Sequence, residues 1–308
     1  MKFKLSTILL LLILGYNISN AQYDQMFTQY MYNEMQINPA YAGSHDALSL
    51  SGIYRNQWVG IEGSPKTETF SAHMPAFNKK MGLGLGMLHE NIGVTNRTYV
   101  NLNYAYKIPV SKGILSMGFQ TGLVMFTEKL TEVTTTSPGD VEFAANTPVL
   151  KAPNFGTGLY YYASRFYLGF SIPRMIENKF NLGKSSAENQ FNPKNFHYYL
   201  TTGYVFDIAE DIKLKPSVLA KVVQGAPLEA DLSVNVLMKE KIWAGLAWRT
   251  SDAVSAMVGL QINPQCKIAY SYDYTLTALQ DYNSGSHEII LNYIFSYSNN
   301  KIITPRLF

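Results

Sequence analysis

Cysteine and charged residues are scarce in this chain of 308 residues. The single cysteine, Cys266, excludes an intramolecular disulfide framework and a cysteine-rich metal site. Charged residues make up 15% of the sequence, whereas soluble domains average about 25%. The 25 Lys+Arg and 22 Asp+Glu give a formal net charge of +3 and form no basic run, which argues against a nucleic-acid binder. Tyrosine is abundant, with 22 copies, and this combination is not that of an ordinary cytosolic enzyme.

The N-terminus has the pattern of a secretory signal peptide. Lys2 and Lys4 precede a mostly apolar stretch at 5–14, and small residues at 19–21 provide a cleavage site before Gln22. An uncleaved membrane anchor is the alternative, but an apolar stretch this short spans a bilayer poorly. No cysteine stands at the cleavage site to carry a lipid anchor. We therefore expect residues 1–21 to be removed during export.

Long hydrophobic runs are missing from the rest of the chain. The longest stretch without a charged residue, 113–127, is interrupted by serine, threonine, glutamine and glycine. A membrane-spanning helix needs about 20 mostly apolar residues, so none is predicted. Two classes of exported protein remain, a secreted all-β protein and an outer-membrane β-barrel.

Alternating polarity is the dominant pattern of the mature chain. Between 228 and 239 the even positions are all apolar, whereas all the odd positions except Leu237 are polar or charged. Because successive side chains of a strand point to opposite faces, this period of two predicts a β-strand with one apolar side. Similar runs give fourteen candidate strands, which begin near residues 46, 67, 81, 98, 113, 154, 165, 197, 212, 228, 242, 253, 266 and 286.

The lengths of the connections distinguish a barrel from a soluble sandwich. The long gaps all follow odd-numbered strands, and they are 56–66, 128–153, 174–196 and 276–285. The links after even-numbered strands are short. Long loops on one side and short turns on the other are typical of a transmembrane barrel, whereas a β-sandwich predicts no such parity. The sequence therefore predicts an all-β fold, a transmembrane antiparallel β-barrel of about 14 strands in a bacterial outer membrane.

The barrel prediction assigns the two faces of each strand. Tyrosine and other aromatic residues are expected to form girdles on the outward face, at the level of the lipid headgroups. On the inward face, Lys221 is expected to lie near Glu229 across a turn at 225–227. The same alternation places three glycines, Gly82, Gly84 and Gly86, on an inward face.

Motifs for catalysis or for cofactor binding are weak. The glycines at 82–86 lack the lysine and the helix of a phosphate loop, and the five histidines share no metal-ligand spacing. Ser71 and His73 lie two apart on one strand face, as in some outer-membrane lipid hydrolases, but no partner for the histidine stands out. We expect no catalytic residues, no metal and no cofactor, and Cys266 is expected to be a small apolar residue.

The segment 22–45, before the first strand, does not alternate. It is rich in aromatic residues and methionine, and Phe27, Tyr30, Met31 and Met35 recur at near-helical spacing. Any helix is expected to end at Asn38, because a proline follows. Such a segment could plug the lumen or bind a partner from the periplasmic side, or it could be a strap packed against the barrel rim. The sequence leaves these arrangements open.

The same segment closely resembles the mature N-terminus of the PorP/SprF family of type IX secretion outer-membrane proteins. The resemblance starts at Gln22 and includes 29–33 (QYMYN) and 37–44 (INPAYAGS). It continues through 54–58 (YRNQW), 81–84 (MGLG) and the closing 305–308 (PRLF). Tyr23-Asp24 departs from the Asp-Pro pair usual in the family. By this resemblance the motif residues are expected to take part in binding; they are Gln29, Tyr30, Met31, Asn33, Asn38, Pro39, Ala40, Tyr41, Ala42 and Gly43.

The resemblance implies a specific role. Similar proteins receive and anchor secreted adhesins at the cell surface through a C-terminal sorting domain of the cargo, in type IX secretion and in gliding. Some members instead contact other components of the machinery, including periplasmic, peptidoglycan-associated proteins. The expected partners are therefore a secreted cargo or adhesin, type IX secretion components and outer-membrane lipid, but no nucleic acid. Two rival functions remain, a channel for hydrophobic small molecules and a lipid hydrolase that uses Ser71 and His73.

The expected organisation has four parts. Residues 1–21 are a cleaved signal peptide and 22–45 are an N-terminal periplasmic strap or plug. Residues 46–297 form the barrel, and 298–308 are a C-terminal tail. The cargo, if there is one, is expected to bind at the long loops 128–153 and 174–196, which are the largest surfaces outside the barrel wall.

Overall fold

A computed structural model describes residues 25–134, 143–181 and 186–295. The predicted signal peptide and C-terminal tail lie outside these residues. In the described parts, fourteen strands pair antiparallel around a closed ring, because β10 pairs with both β7 and β12, and β1 pairs with β17. The predicted fold class is thus confirmed. Among the described residues, no helix has the length and apolar character to cross a membrane.

The described residues form seventeen strands, and those of the ring follow one another in chain order. They are β1 (Leu48–Asn56), β2 (Lys66–Ala76), β3 (Met81–Ile92), β4 (Thr95–Val110), β5 (Gly113–Glu128), β6 (Leu150–Tyr162), β7 (Phe166–Ile172), β8 (Glu177–Asn181), β9 (Ser186–Gln190), β10 (Tyr198–Tyr204), β11 (Phe206–Ala209), β12 (Ile212–Val222), β13 (Glu229–Met238), β14 (Ile242–Arg249), β15 (Ala253–Gln261), β16 (Cys266–Thr275) and β17 (Ser286–Phe295). Strand β11 continues the line of β10 beyond Val205, and β8 and β9 form a separate hairpin outside the ring.

Burial follows the predicted alternation. On β13, Asp231, Ser233 and Asn235 are buried inside the barrel, whereas Leu232 and Val234 between them are exposed on the outside. The predicted inward pair also forms, since Lys221 Nζ lies 3.6 Å from Glu229 Oε2 at the start of the β12–β13 connection. An apolar outer face and a polar inner face are what a membrane barrel requires, because lipid cannot solvate charged side chains.

The connections divide between two ends of the barrel. The loops 57–65, 129–149, 173–197 and 276–285 lie at one end, which we call the loop end. Links of two to four residues lie at the other, which we call the turn end. The parity predicted from the sequence is confirmed, with two differences in detail. Strands β4 and β6 begin three and four residues earlier than expected, and the gap 174–196 contains the β8–β9 hairpin.

The expectation that tyrosines serve mainly as outer girdles is wrong for many of them. Some are exposed outside, such as Tyr104 and Tyr270, but eight are buried: Tyr30, Tyr32, Tyr41, Tyr99, Tyr160, Tyr162, Tyr167 and Tyr199. Tyr41, Tyr160, Tyr162 and Tyr167 share one buried cluster with Ala40 and Ala42. The barrel therefore has a packed interior, which the segment before β1 helps to fill.

Candidate functional site in the barrel lumen

The N-terminal segment, which we define as residues 25–45, lies inside the barrel. From Met26 to Ser44 every residue is buried except Gln36, which is half-buried. The segment forms three short 3-10 turns, Tyr30–Tyr32, Glu34–Gln36 and Pro39–Tyr41, in place of a continuous helix. The third turn begins as its sequence suggests, since Asn38 Oδ1 accepts a hydrogen bond from Ala40 N at 3.0 Å.

Its path runs along the barrel axis. Thr28 lies near the loop end, because it bonds to Asp273 and Glu288, each within two residues of the loop end of its strand. Gly43 lies near the turn end, where it bonds to His73 and Lys107, each three residues from the turn end of its strand. The segment therefore crosses most of the lumen with its N-terminal side towards the loop end.

Glycines on the inner wall make room for this path. A Cβ on Gly82 would lie 1.9 Å from the carbonyl oxygen of Ala42, and one on Gly118 would lie 2.1 Å from the nitrogen of Ala40. A Cβ on Gly158 would lie 2.1 Å from Asn38 Oδ1. Only glycine allows another backbone to approach a strand this closely. The inward glycines of β3, β5 and β6 thus form a groove that fits residues 38–43.

A buried ionic cluster holds the loop-end part of the segment. Arg55 Nη2 lies 2.7 Å from Asp273 Oδ2, and Arg55 Nη1 lies 3.1 Å from Glu288 Oε2. Glu288 accepts hydrogen bonds from the backbone N–H groups of Thr28 at 3.1 Å and Gln29 at 2.8 Å. Thr28 Oγ1 also donates to Asp273 at 2.7 Å. All three charged side chains are at most 2% exposed, and this arrangement pairs the buried charges with one another and with the segment, while Arg55 Nε has no hydrogen-bond partner among the described residues.

Further wall side chains bond to the main chain of the segment. Ser51 Oγ and Asn292 Nδ2 each donate to the carbonyl oxygen of Tyr32 at 3.1 Å. Ser171 Oγ donates to the carbonyl oxygen of Ile37 at 2.6 Å. At the turn end, Lys107 donates to the carbonyl oxygen of Gly43. The wall therefore binds the backbone of the segment at points spread from Thr28 to Gly43.

Two lysines face the middle of the segment. Lys267 Nζ lies 4.7 Å and Lys215 Nζ lies 5.7 Å from the centre of the Tyr32 ring. Both side chains are buried, and Lys215 interacts electrostatically with Glu34. Glu34 is the one acidic residue between 25 and 45, and that range has no lysine or arginine. The lumen thus places carboxylates around the segment's backbone near the loop end, and it places ammonium groups beside Tyr32, one of them near the segment's single acidic side chain.

The ten motif residues named from the sequence all lie in this buried segment. Gln29 and Ala40 have no exposed surface, and the other eight, Tyr30, Met31, Asn33, Asn38, Pro39, Tyr41, Ala42 and Gly43, are also buried. Several bond to the wall; for example, Asn33 Nδ2 donates to Thr69 Oγ1 at 3.1 Å. A role of these residues in binding another protein stays a prediction.

Ser71 and His73 also face the lumen, but each is bonded to the N-terminal segment. Ser71 Oγ donates to Asn33 Oδ1 at 2.7 Å, and the backbone N–H of Gly43 donates to His73 Nδ1 at 3.2 Å. No hydrogen bond joins the two side chains among the described residues. Both residues are thus part of the wall that holds the segment.

The residues that sequence reasoning missed are Arg55, Asp273 and Glu288. The alternation in β1, β16 and β17 does place them on inward faces, and that signal was available. What the sequence does not show is the register of these three neighbouring strands, which brings the three charges to one point.

A comparison with protein-family models shows to which family the chain belongs. A family model described as type IX secretion system membrane protein PorP/SprF matches residues 19–293. The chain belongs to the PorP/SprF family. A search of curated proteins found no match. As a PorP/SprF protein with a membrane-type barrel, it is an outer-membrane component of type IX secretion.

Solved structures similar to this PorP/SprF protein are outer-membrane barrels of low sequence identity. Omp33 of Acinetobacter baumannii is 8% identical, with a TM-score of 0.47, and the match covers 82% of this chain and 100% of Omp33. The CymD monoaromatic hydrocarbon channel is 9% identical, with a TM-score of 0.49 and coverages of 89% and 94%. A Pseudomonas aeruginosa FadL homologue is 13% identical, with a TM-score of 0.43 and coverages of 87% and 94%. Similarity at this level does not indicate what the chain binds.

Proposed function

We propose that this barrel receives a secreted protein through its C-terminal sorting domain and anchors it at the cell surface. Membership of the PorP/SprF family supports a role in type IX secretion. The observation that carries the proposal is the contrast between a filled lumen and an elaborated loop end, where the connections 129–149 and 173–197 lie. In membrane barrels the longer loops face outside, so these connections are available to a surface protein. The proposed role is binding, without a catalytic step.

Part of the loop 129–149 can be deleted without disturbing the contacts at its base. At its base, Thr131 donates hydrogen bonds from its backbone and its hydroxyl to Asn146 Oδ1, at 3.1 Å and 2.8 Å. Residues 132–145 can therefore be replaced by a short glycine-serine linker that leaves this closure intact. The hairpin β8–β9 in the neighbouring loop serves as a second, separate deletion.

The measurement compares proteins on the cell surface with proteins in the medium by mass spectrometry. We expect deletion of 132–145 to release at least one large exported protein into the medium, while the barrel still migrates as a folded species on unheated gels. If both loop deletions leave every surface protein in place and the barrel remains folded, cargo anchoring at the loop end is wrong.

The proposal also includes contact with other type IX secretion components at the turn end. The turn after β2 exposes Phe77, which is 72% accessible, and Phe77, Asn78 and Lys79 all have positive φ angles, between 47° and 64°. Such angles cost roughly 1 kcal/mol or more for residues other than glycine, and backbone strain of this kind clusters at functional sites. Phe77→Ser is expected to reduce co-purification of periplasmic components, with exposed Phe206→Ser on the lipid-facing side as control.

The rival function, a channel for hydrophobic small molecules, stays an alternative. Residues 26–44 are buried within the lumen, and such a channel requires them to move. Liposome swelling with the full chain tests this directly, because a permeable barrel swells liposomes in the presence of small solutes and a filled one does not.

A further inference from the structure

The lumen binds the N-terminal segment through its backbone as well as through its side chains. The bonded main-chain atoms include the N–H groups of Thr28 and Gln29 and the carbonyl oxygens of Tyr32, Ile37 and Gly43. Every peptide carries these groups, so bonds of this kind fix the direction of a chain more than its sequence. A wall that bonds to a peptide in this way is a binding site for a peptide of one direction, with the N-terminal side towards the loop end.

Charge divides this site into two parts. The carboxylates of Asp273 and Glu288 accept hydrogen bonds from the backbone near the loop end. Deeper in the lumen, the ammonium groups of Lys215 and Lys267 lie beside the segment at the level of Tyr32 and Glu34. A peptide that starts at the carboxylates and ends at the lysines needs a negative charge at its C-terminal side. Glu34 supplies that charge in this structure, and the terminal carboxylate of a peptide can supply it equally.

The two halves of the segment are also held differently. Residues 38–43 lie in the glycine groove, where atoms of the segment approach the wall too closely for a Cβ on Gly82, Gly118 or Gly158. Residues 25–34 have no such close backbone contact with a glycine and are held by side chains and charges, and Gln25 at their start is only half-buried. Residues 25–34 can therefore exchange while residues 38–43 stay bound.

We propose that the loop-end half of the lumen, now filled by residues 25–34, is an exchangeable site for the C-terminal peptide of the anchored protein. This inference rests on the proposed function. A peptide that enters from the loop end with its C-terminus first runs in the same direction as residues 25–34. Its terminal carboxylate takes the position of the Glu34 side chain near Lys215, with Lys267 close by at the Tyr32 ring, and its backbone N–H groups bind Glu288.

The test uses a peptide made from this chain. The probe has the sequence of residues 25–33, a dye at its N-terminus and a free C-terminal carboxylate, and a second version carries a C-terminal amide. Binding is measured by fluorescence anisotropy to the purified full chain in detergent. The proteins are the unmodified chain, Glu34→Gln, the double variant Lys215→Gln/Lys267→Gln, and Glu210→Gln in an exposed turn as a matched control.

Substitutions in the segment and in the wall are expected to change the affinity for the peptide in different ways. Glu34→Gln weakens the resident segment, so it should bind the free-acid peptide about tenfold more tightly, the factor expected for one charge-assisted contact. The lysine double variant removes the partner of both Glu34 and the peptide carboxylate, so it should bind the free-acid and the amide peptide with equal affinity. Glu210→Gln should match the unmodified chain. Equal binding of acid and amide by the unmodified chain and by Glu34→Gln overturns the inference, as does a preference for the free acid that persists in the lysine variant.

Displacement of residues 25–34 can be followed by tryptophan fluorescence. The rings of Tyr32 and Trp243 lie 4.9 Å apart, so departure of the segment should change the emission of Trp243. A rise in the anisotropy of the peptide without this change in emission indicates that the peptide binds elsewhere, and it contradicts exchange.

The same variants separate this inference from the proposed function in cells. If the loop deletion releases a surface protein but the purified chain exchanges no peptide, anchoring stands and the lumen site is wrong. If the peptide exchanges in vitro but neither loop deletion nor lysine substitution releases any surface protein, the lumen site stands and anchoring is wrong.

Discussion

Gly82→Ala offers the sharpest test of the position of the N-terminal segment. The new methyl group would lie 1.9 Å from the carbonyl oxygen of Ala42, whereas an ordinary contact is at least 3.4 Å, so the segment has to shift by about 1.5 Å. The shift disturbs the bonds of Gly43 to His73 and Lys107. Two weakened hydrogen bonds at about 1 kcal/mol each, together with about 1–2 kcal/mol of overpacking, lower the free energy of unfolding by about 3–4 kcal/mol.

Gly86→Ala is the matched control on the same strand and the same face. Its methyl group meets nothing closer than 3.5 Å, and that atom is the end of the flexible Gln36 side chain. We expect no loss of stability, and a gain of about 0.5 kcal/mol is reasonable because glycine is unfavourable inside a strand. The measurement is a urea titration of both variants in detergent micelles, followed by tryptophan fluorescence. Equal stabilities of the two variants would refute the placement of residues 38–43 against β3.

Three further predictions concern substitutions of single side chains. Arg55→Gln leaves two buried carboxylates without their cation and should lower the free energy of unfolding by about 3–5 kcal/mol, and adding Glu288→Gln should recover part of this loss in the same titration. Lys79→Gln removes an exposed ion pair and should change stability by less than about 1 kcal/mol; a larger loss would contradict the assignment of that pair to the surface. Asn38→Ala removes bonds to Leu159 O and Ala40 N and should cost about 1–2 kcal/mol, and thermal melting with Asn178→Ala as control will show whether it does.

The strands could be predicted from the sequence because alternation is a local signal. Each inward residue of β13, for example, is identified by its own neighbours, so no knowledge of the rest of the chain is needed. The start of β6 was placed late because Leu150–Ala152 follows a long loop and alternates only briefly before Pro153. The hairpin β8–β9 was missed because its short strands are mostly polar on both faces.

The interior could be predicted only in part. Parity placed Lys221 and Glu229 together because they are joined by one short connection. The meeting of Arg55 with Asp273 and Glu288 depends on closure of the ring over more than 200 residues of sequence, and no local pattern shows it. The buried tyrosines were misplaced for the same reason, since their surroundings come from a segment and a wall that are distant in sequence.

The pairing of β1 with β17 gives the N-terminal segment a part in assembly. This pair is the seam at which the first and the last strand of the ring meet. The segment bonds to both sides of it, through Arg55 and Ser51 on β1 and through Glu288 and Asn292 on β17. A ring that closed while empty would leave Glu288 without two of its hydrogen-bond donors in a buried position. The segment therefore stabilises the seam, because it supplies donors to the last strand while it is bonded to the first.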